Sequence, residues 1–129
     1  MHFRAARHTN NLKSLIKFYC DILNFEVLGS FENHNNYNGV FLGKPHLNWH
    51  LEFTESNEKA KHLFDEDDIL VFYPENKSEY DKIIESIDRF EIKKVEPVNP
   101  YWEKNGIMIE DPDEYKIVIS NLKINIEKD

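Results

Sequence analysis

An internal repeat does most to limit how this chain folds. Shifted by about 65 residues, its two halves superpose. Leu15 falls on Tyr80, Phe18 on Ile83, Tyr19 on Ile84 and Ile22 on Ile87, and Asn24-Phe25-Glu26-Val27 falls on Arg89-Phe90-Glu91-Ile92. Further along, Gly39–Leu42 matches Gly106–Ile109 with two residues of slippage, and His50–Thr54 matches Lys116–Ser120. A repeat lets each half corroborate the element assignments made in the other.

Both halves read in the same order. In the first, residues 2–9 form a strand. Leu12, Leu15, Ile16, Tyr19, Ile22 and Leu23 then recur at the period of a helix with one buried stripe, capped by Asn10 or Asn11. Residues 25–31 read as a strand, 32–39 as a turn, and 39–43 and 48–54 as further strands. In the second half, the apolar run at 67–73 is a strand. Residues 78–90 form a helix with Ser78 as cap, Asp81 three residues on, and a stripe of Tyr80, Ile83, Ile84 and Ile87. Strands follow at 91–97, 106–110 and 115–120. The fold class is therefore α+β, built from two β-α-β-β-β modules at about 1–56 and 66–122. Neither module can bury both its helix stripe and its sheet alone, so the two are expected to pack as one domain over residues 1–129.

Composition excludes several functions. Apolar residues make up 40% and aromatic residues 13%, which is globular rather than disordered. No apolar run approaches the roughly 18 residues that span a bilayer, and the first residues lack an apolar signal region. The chain is expected to be cytoplasmic with no membrane partner. The single cysteine, Cys20, forms no internal disulfide and sits on the first helix as a small hydrophobe. A net charge of −8 with no basic stripe argues against nucleic acid and weakly favours cationic ligands.

The stretch from His46 to Ser56 holds the most chemistry. His46 and His50 read as HxxxH, which chelates zinc on a helix. Here the pattern is a strand, where four residues span about 13 Å, too far for one ion. His50 and Glu52 are two apart, so they share one face, while Trp49, Leu51 and Phe53 share the other. The apolar side should meet the helix, leaving His50 and Glu52 on the open side. Together with His8 or Asp68 they could hold a divalent metal. General acid–base work by Glu52 and His50 also stays open. His2, His34 and His62 sit in polar surroundings and read as surface residues. Tyr37, Tyr101 and Trp102 occupy turn-like segments at matching places, as rim aromatics of a pocket or as core plugs. Met108, Leu70 and Phe72 are expected to line an apolar wall. No serine sits in a nucleophile elbow, and the four glycines make no phosphate-cradling loop.

Two β-α-β-β-β units of this size resemble the vicinal oxygen chelate superfamily, which includes glyoxalase I, extradiol dioxygenases and the fosfomycin and bleomycin resistance proteins. Residues 10–31 look like its helix bearing Phe18-Tyr19 and leading into the second strand. Residues 99–120 look like its close, with Asp111-Pro112-Asp113 turning into the last strand. The usual glycine after that turn is Glu114 here, so the turn is a candidate for a different build. The resemblance implies a cup formed by the two sheets, a homodimer, and four metal ligands in the cup. Those ligand positions fall on Arg4, Glu52, Asp68 and Val118. Valine binds no metal and arginine opposes one, so the four-ligand site looks dismantled. An Arg4–Glu52 ion pair is expected in its place, with Arg7 as the alternative partner should the first strand shift by one residue.

Two functions follow from the resemblance. One is a binder of a small molecule that needs no cofactor, with Arg4, His50, Glu52, Asp68, Leu70, Phe72, Tyr37, Tyr101, Trp102 and Met108 around the ligand. The other is a lyase, isomerase or dioxygenase using Zn, Ni, Mn or Fe on His50, Glu52 and Asp68.

Overall fold

A computed structural model describes residues 1–126. The chain divides into two compact units, Met1–His62 and Leu63–Asp129. Each carries a four-stranded mixed sheet, so the fold is the α+β arrangement of two modules. Among the described residues no helix is long and apolar enough to cross a membrane.

In the first unit the elements are β1 (Phe3–His8), α1 (Leu12–Leu23), β2 (Glu26–His34), β3 (Tyr37–Gly43) and β4 (Trp49–Glu55), in sheet order β1-β4-β3-β2. β1 runs parallel to β4, and the other neighbours are antiparallel. Helix α1 starts where Asn11 accepts the Ser14 N–H through its side chain, and where Glu55 Oε2 accepts the Leu12 N–H at 3.1 Å. It ends at Asn24, which takes a left-handed conformation with φ 57°. Its stripe of Leu12, Leu15, Phe18, Tyr19, Ile22 and Leu23 is buried. Tyr19 is fully enclosed, with its ring stacked on Phe53 at 5.2 Å. Arg7 lies on this same side: its guanidinium is 5.0 Å from the Phe53 ring, and Nη2 donates to the Tyr19 hydroxyl at 3.4 Å.

The expected turn at 32–39 is much shorter. β2 and β3 extend into it, leaving Asn35-Asn36 as a two-residue loop with φ 51° and 71°. Two consecutive left-handed residues match the twist of a hairpin, and asparagine tolerates that conformation. Tyr37 therefore begins a strand rather than sitting in a turn.

The second unit has β5 (Ile69–Phe72), α2 (Lys77–Arg89), β6 (Lys94–Val95), α3 (Tyr101–Asn105), β7 (Gly106–Glu110), β8 (Lys116–Ser120) and α4 (Leu122–Ile126), in sheet order β5-β8-β7-β6. The cap of α2 is Asn76 rather than Ser78: Asn76 Oδ1 accepts the Glu79 N–H at 2.8 Å, and Glu79 reaches back to the Glu75 N–H at 2.9 Å. The strand expected at 91–97 shrinks to Lys94–Val95. The reason is the helix end: Glu91 takes φ 54°, and Ile92 N–H returns to Ile87 O at 2.9 Å while Glu91 N–H returns to Asp88 O at 3.2 Å. That Schellman closure consumes the first residues of the expected strand. Tyr101 and Trp102 lie on the short helix α3 instead of in a turn.

The turn into β8 keeps its shape without glycine. Asp111 is 3% exposed, and its Oδ1 accepts the N–H groups of Asp113 at 2.9 Å and Tyr115 at 3.2 Å. Glu114 holds φ 67°, and its N–H donates to Asp111 O at 2.8 Å. A side chain in the left-handed region costs about 1–2 kcal/mol, of which glycine's extra freedom in the unfolded chain offsets about half. Glu114→Gly is therefore expected to raise stability by about 0.5–1 kcal/mol in urea unfolding at unchanged slope. A loss of stability would show that the Glu114 side chain contributes more than its backbone strain costs.

Candidate functional site

Strand period and pairing decide which side chains share a face. In β4, Trp49, Leu51 and Phe53 turn toward α1, where Phe53 meets Tyr19 and Trp49 meets Phe25 at 5.9 Å. His50, Glu52 and Thr54 turn to the opposite, open face. β1 pairs in register with Arg4 beside His50, Ala6 beside Glu52 and His8 beside Thr54. The open face of the first unit therefore carries Arg4, Ala6 and His8, and Arg7 belongs to the helix side. On the other flank of β4, Phe41 pairs with Glu52 and Gly39 with Thr54. Glu52 thus sits at the centre of the open face.

Four polar groups there form one connected chain. Arg4 Nη1 donates to Glu52 Oε1 at 3.2 Å; the Arg4 side chain is 49% exposed and that of Glu52 13%. Arg4 Nε donates to His50 Nε2 at 3.0 Å, and His50 Nδ1 is 2.8 Å from His2 Nε2. Guanidinium nitrogens only donate, so His50 Nε2 must be a bare acceptor. The His50 proton then sits on Nδ1 and is donated to His2 Nε2. The ring is held neutral, and its pKa is lowered from the ordinary value by partial burial first, then by Arg4 and His2, with Glu52 opposing. Arg4 is braced on a third side by Phe41, whose ring centroid is 4.8 Å from the guanidinium carbon.

Two aromatic residues of this face lie over glycines of the neighbouring strand. Gly29 pairs with Phe41 and Phe31 with Gly39. A Cβ on Gly39 would lie 2.2 Å from Phe31 Cζ, and one on Gly29 would lie 3.1 Å from Phe41 Cδ2. The two rings, 5.9 Å apart, cover the sheet where side chains are missing. Phe41 also meets His50 edge-on at 5.6 Å.

The far end of the face is organised by His8. Its Nδ1 is 2.8 Å from Thr54 Oγ1 and its Nε2 is 3.2 Å from Ser56 Oγ, and its ring is 5.5 Å from that of Tyr37. Beside it lies a polar hollow of about 350 Å³ lined by Asn33, Asn36, Asn38, Glu55, Ser56 and Asn57. His8 is bonded to hydroxyls rather than turned toward the Arg4–Glu52 pair. His62 is half-buried with Nε2 2.7 Å from His8 O, so it has a structural role rather than being a plain surface residue. His46 lies in the turn ahead of β4, where Leu47 N–H returns to Lys44 O.

The remaining predicted positions fall on the second unit, where the register corrects several. Ile69 pairs with Lys116, the counterpart of His50, so Ile69 and not Asp68 is the equivalent of Arg4. Asp68 is exposed and precedes β5; it closes its own turn, its N–H donating to Asp65 O at 3.0 Å and Oδ2 accepting the Asp65 N–H at 3.1 Å. Leu70 and Phe72 pair with Ile117 and Ile119, the counterparts of Leu51 and Phe53. They share the face that corresponds to the helix side of the first unit. Met108 pairs with Val118 on the opposite face, so Leu70 and Phe72 do not join Met108 in one wall. Tyr101 is 52% exposed and packs edge-on against Trp102 at 4.8 Å.

The four positions to which the resemblance assigns metal ligands thus fall on Arg4, Glu52, Ile69 and Val118. One cation, one carboxylate and two hydrocarbons do not suit a divalent ion. Among the described residues no three His, Cys, Asp or Glu side chains are grouped to hold a metal.

Three participants have no local signal as site residues. His2 is exposed, as expected, and its Nε2 also lies 2.8 Å from His50 Nδ1. Phe41 and Phe31 alternate with Gly39 and Gly29 across neighbouring strands, and that pairing was the available signal.

Comparisons with known proteins agree with this architecture. The fold is that of the vicinal oxygen chelate superfamily. Trypanothione-dependent glyoxalase I of Leishmania major superposes with a TM-score of 0.72 at 22% identity over 97% of this chain and 88% of that one. The fosfomycin resistance protein FosX of Listeria monocytogenes superposes with 0.67 at 12% identity, over 98% and 95%. Residues 3–54 match the YycE-like N-terminal domain and residues 67–121 the YycE-like C-terminal domain. The chain is 40% identical over 124 residues to the uncharacterised protein YycE of Bacillus subtilis (strain 168), covering 93% of this chain and 87% of YycE. A crystal structure of YycE from Bacillus subtilis superposes with a TM-score of 0.83 at 39% identity, over 93% and 88%. The chain therefore belongs to the YycE-like family.

The fixed tautomer of His50 predicts a pH response. Its folded-state pKa is lowered, so the unfolded chain takes up the proton first. The contribution of His50 to stability is present above the ordinary histidine value of about 6.5 and is lost as pH falls below it. NMR titration should give His50 a midpoint below the ordinary histidine value and an Nδ1–H tautomer. A midpoint at or above the ordinary value would contradict the hydrogen-bond assignment.

Proposed function

We propose that this chain binds a small molecule on the open face of its first unit and does so without a divalent metal. The observation that carries the reading is the Arg4–Glu52 pair at 3.2 Å. A guanidinium stands at the first of the positions to which the resemblance assigns a metal ligand, and it engages the one carboxylate of that set. Such a site can orient and hold a ligand by hydrogen bonds and charge, but it offers no open coordination position to polarise two substrate oxygens. A listerial FosX was crystallised with Mn(II) and 1S,2S-dihydroxypropylphosphonic acid; on this reading the present chain shares that fold and has left that chemistry.

The test is metal content. Protein purified without a histidine tag should contain no stoichiometric metal by mass spectrometry, and its melting temperature should not rise with zinc, nickel or manganese. Glu52→Gln should leave both results unchanged. Stoichiometric metal that disappears in Glu52→Gln would sink the proposal in favour of a metal-dependent lyase, isomerase or dioxygenase.

A further inference from the structure

The open face of the first unit also speaks to the charge of its ligand, and this step rests on the metal-independent reading above. Arg4 carries five N–H groups. Nε is used by His50 and one Nη1 hydrogen by Glu52. No further hydrogen bond of Arg4 exists among the described residues, so Nη2 and the second Nη1 hydrogen remain, and the side chain is 49% exposed. Nη1 and Nη2 form the outer edge of the guanidinium, the edge that takes two oxygens of one anion in parallel. His50, Glu52 and Phe41 already fix the plane of the group, so little side-chain freedom is left to lose on binding.

The charge distribution agrees. The net charge of −8 is not shared evenly. Residues 1–62 hold seven Lys and Arg against six Asp and Glu, together with all six histidines, whereas residues 63–129 hold nine against eighteen. The first unit is therefore formally +1 and the second −9. Glu52 neutralises part of the guanidinium charge through Nη1 and leaves Nη2 unused, and Ala6, its partner in the strand pairing, is exposed. From Arg4 the aromatic surface continues through Phe41 to Phe31.

We propose that this face takes a small carboxylate or phosphonate on a flat, unsaturated body, with the anion paired to the outer edge of Arg4 and the body resting along Phe41 and Phe31. His50 and His2 are positioning residues, since they act on the ligand only by holding Arg4.

Ligand-observed and protein-observed NMR titration of the full chain tests this with four probes of one shape: benzoate, phenylphosphonate, benzamide and benzamidine, with acetate to isolate the ring. Benzoate or phenylphosphonate should bind and shift the signals of Arg4 and Phe41, benzamide should bind at least roughly tenfold more weakly, and benzamidine should not bind at this face. Which of the two anions binds more tightly identifies the head group, and acetate should bind more weakly than benzoate. Arg4→Gln should weaken the preferred anion by roughly tenfold or more. Arg4→Lys, which keeps the charge but loses the two-pronged edge, should weaken it by less. Glu52→Gln should leave anion binding intact or tighten it. Preference for benzamidine, anion binding unaffected by Arg4→Gln in a variant whose spectrum shows it folded, or no binding by any probe into the millimolar range would overturn the proposal. These outcomes are separable from failure of the metal-independent reading, which is decided by metal content alone.

Discussion

The parallel pairing of β1 with β4 is the constraint on which the site depends. Successive residues of a strand point to opposite faces, so the register that sets Arg4 beside His50 also sets Arg7 beside Phe53. Each arginine then has partners suited to its face. Arg7 stacks on Phe53 and donates to the enclosed Tyr19 hydroxyl beneath α1. Arg4 stacks on Phe41 and donates to Glu52 and His50 on the other side. A slip by one residue would exchange the two and carry Phe3, Ala5 and Arg7 to the open face. The Arg7–Tyr19–Phe53 cluster therefore holds the register from the core side, and the polar chain on the open face inherits its alignment.

On the proposed reading, a guanidinium stands where the resemblance assigns a metal ligand, and that changes what the face can do. A divalent ion accepts lone pairs and keeps positions open for substrate oxygens. Arginine offers only N–H groups, stays charged at any working pH, and has a fixed planar geometry. It also removes the reason for Glu52 to be a ligand: at 13% exposure the carboxylate needs a positive partner, and Arg4 supplies it in the same plane of hydrogen bonds. His50 completes the arrangement by accepting from Nε, which only the neutral ring can do. The face is thus built around one cation whose orientation is set by three neighbours, rather than around a coordination sphere.

Much of this was legible because the relevant signals repeat or alternate. The repeat located both modules, the helix stripe of α1 is buried as its period requires, and the alternation in β4 separates His50 and Glu52 from Leu51 and Phe53. What was not legible depended on pairing between distant segments or on exceptional backbone. Asn35-Asn36 could be recognised as a turn but not as its entire length, because nothing local says how far hairpin pairing runs into Glu32–His34 and Tyr37–Gly39. The Schellman closure at Glu91 shortened β6 because a non-glycine residue adopted the left-handed conformation. The equivalence of Ile69 with Arg4, and the separation of Leu70 and Phe72 from Met108, are not legible because parity in β5 is set by β8 and cannot be read within a short apolar run. His2 was overlooked for a related reason: it lies outside β1, and its link to His50 spans 48 residues.

The two units show which faces of a duplicated scaffold tolerate divergence. Residues toward the helix side match in kind: Leu51 with Ile117 and Phe53 with Ile119, all buried. Those of the opposite face differ in chemistry: Arg4 corresponds to Ile69, His50 to Lys116 and Glu52 to Val118. Burial against a helix restricts a position to hydrocarbon of suitable volume, whereas an open face restricts only its side-chain direction. In the second unit Lys116 pairs with Glu110 across β7 and β8, and Val118 is fully buried beside Met108. The same parity therefore presents an ion pair braced by aromatic rings on one unit and mainly hydrocarbon on the other. The polar side chains of this parity are concentrated in the first unit, so substitutions at Arg4, His50 and Glu52 probe the proposed binding without touching the equivalent positions of the second.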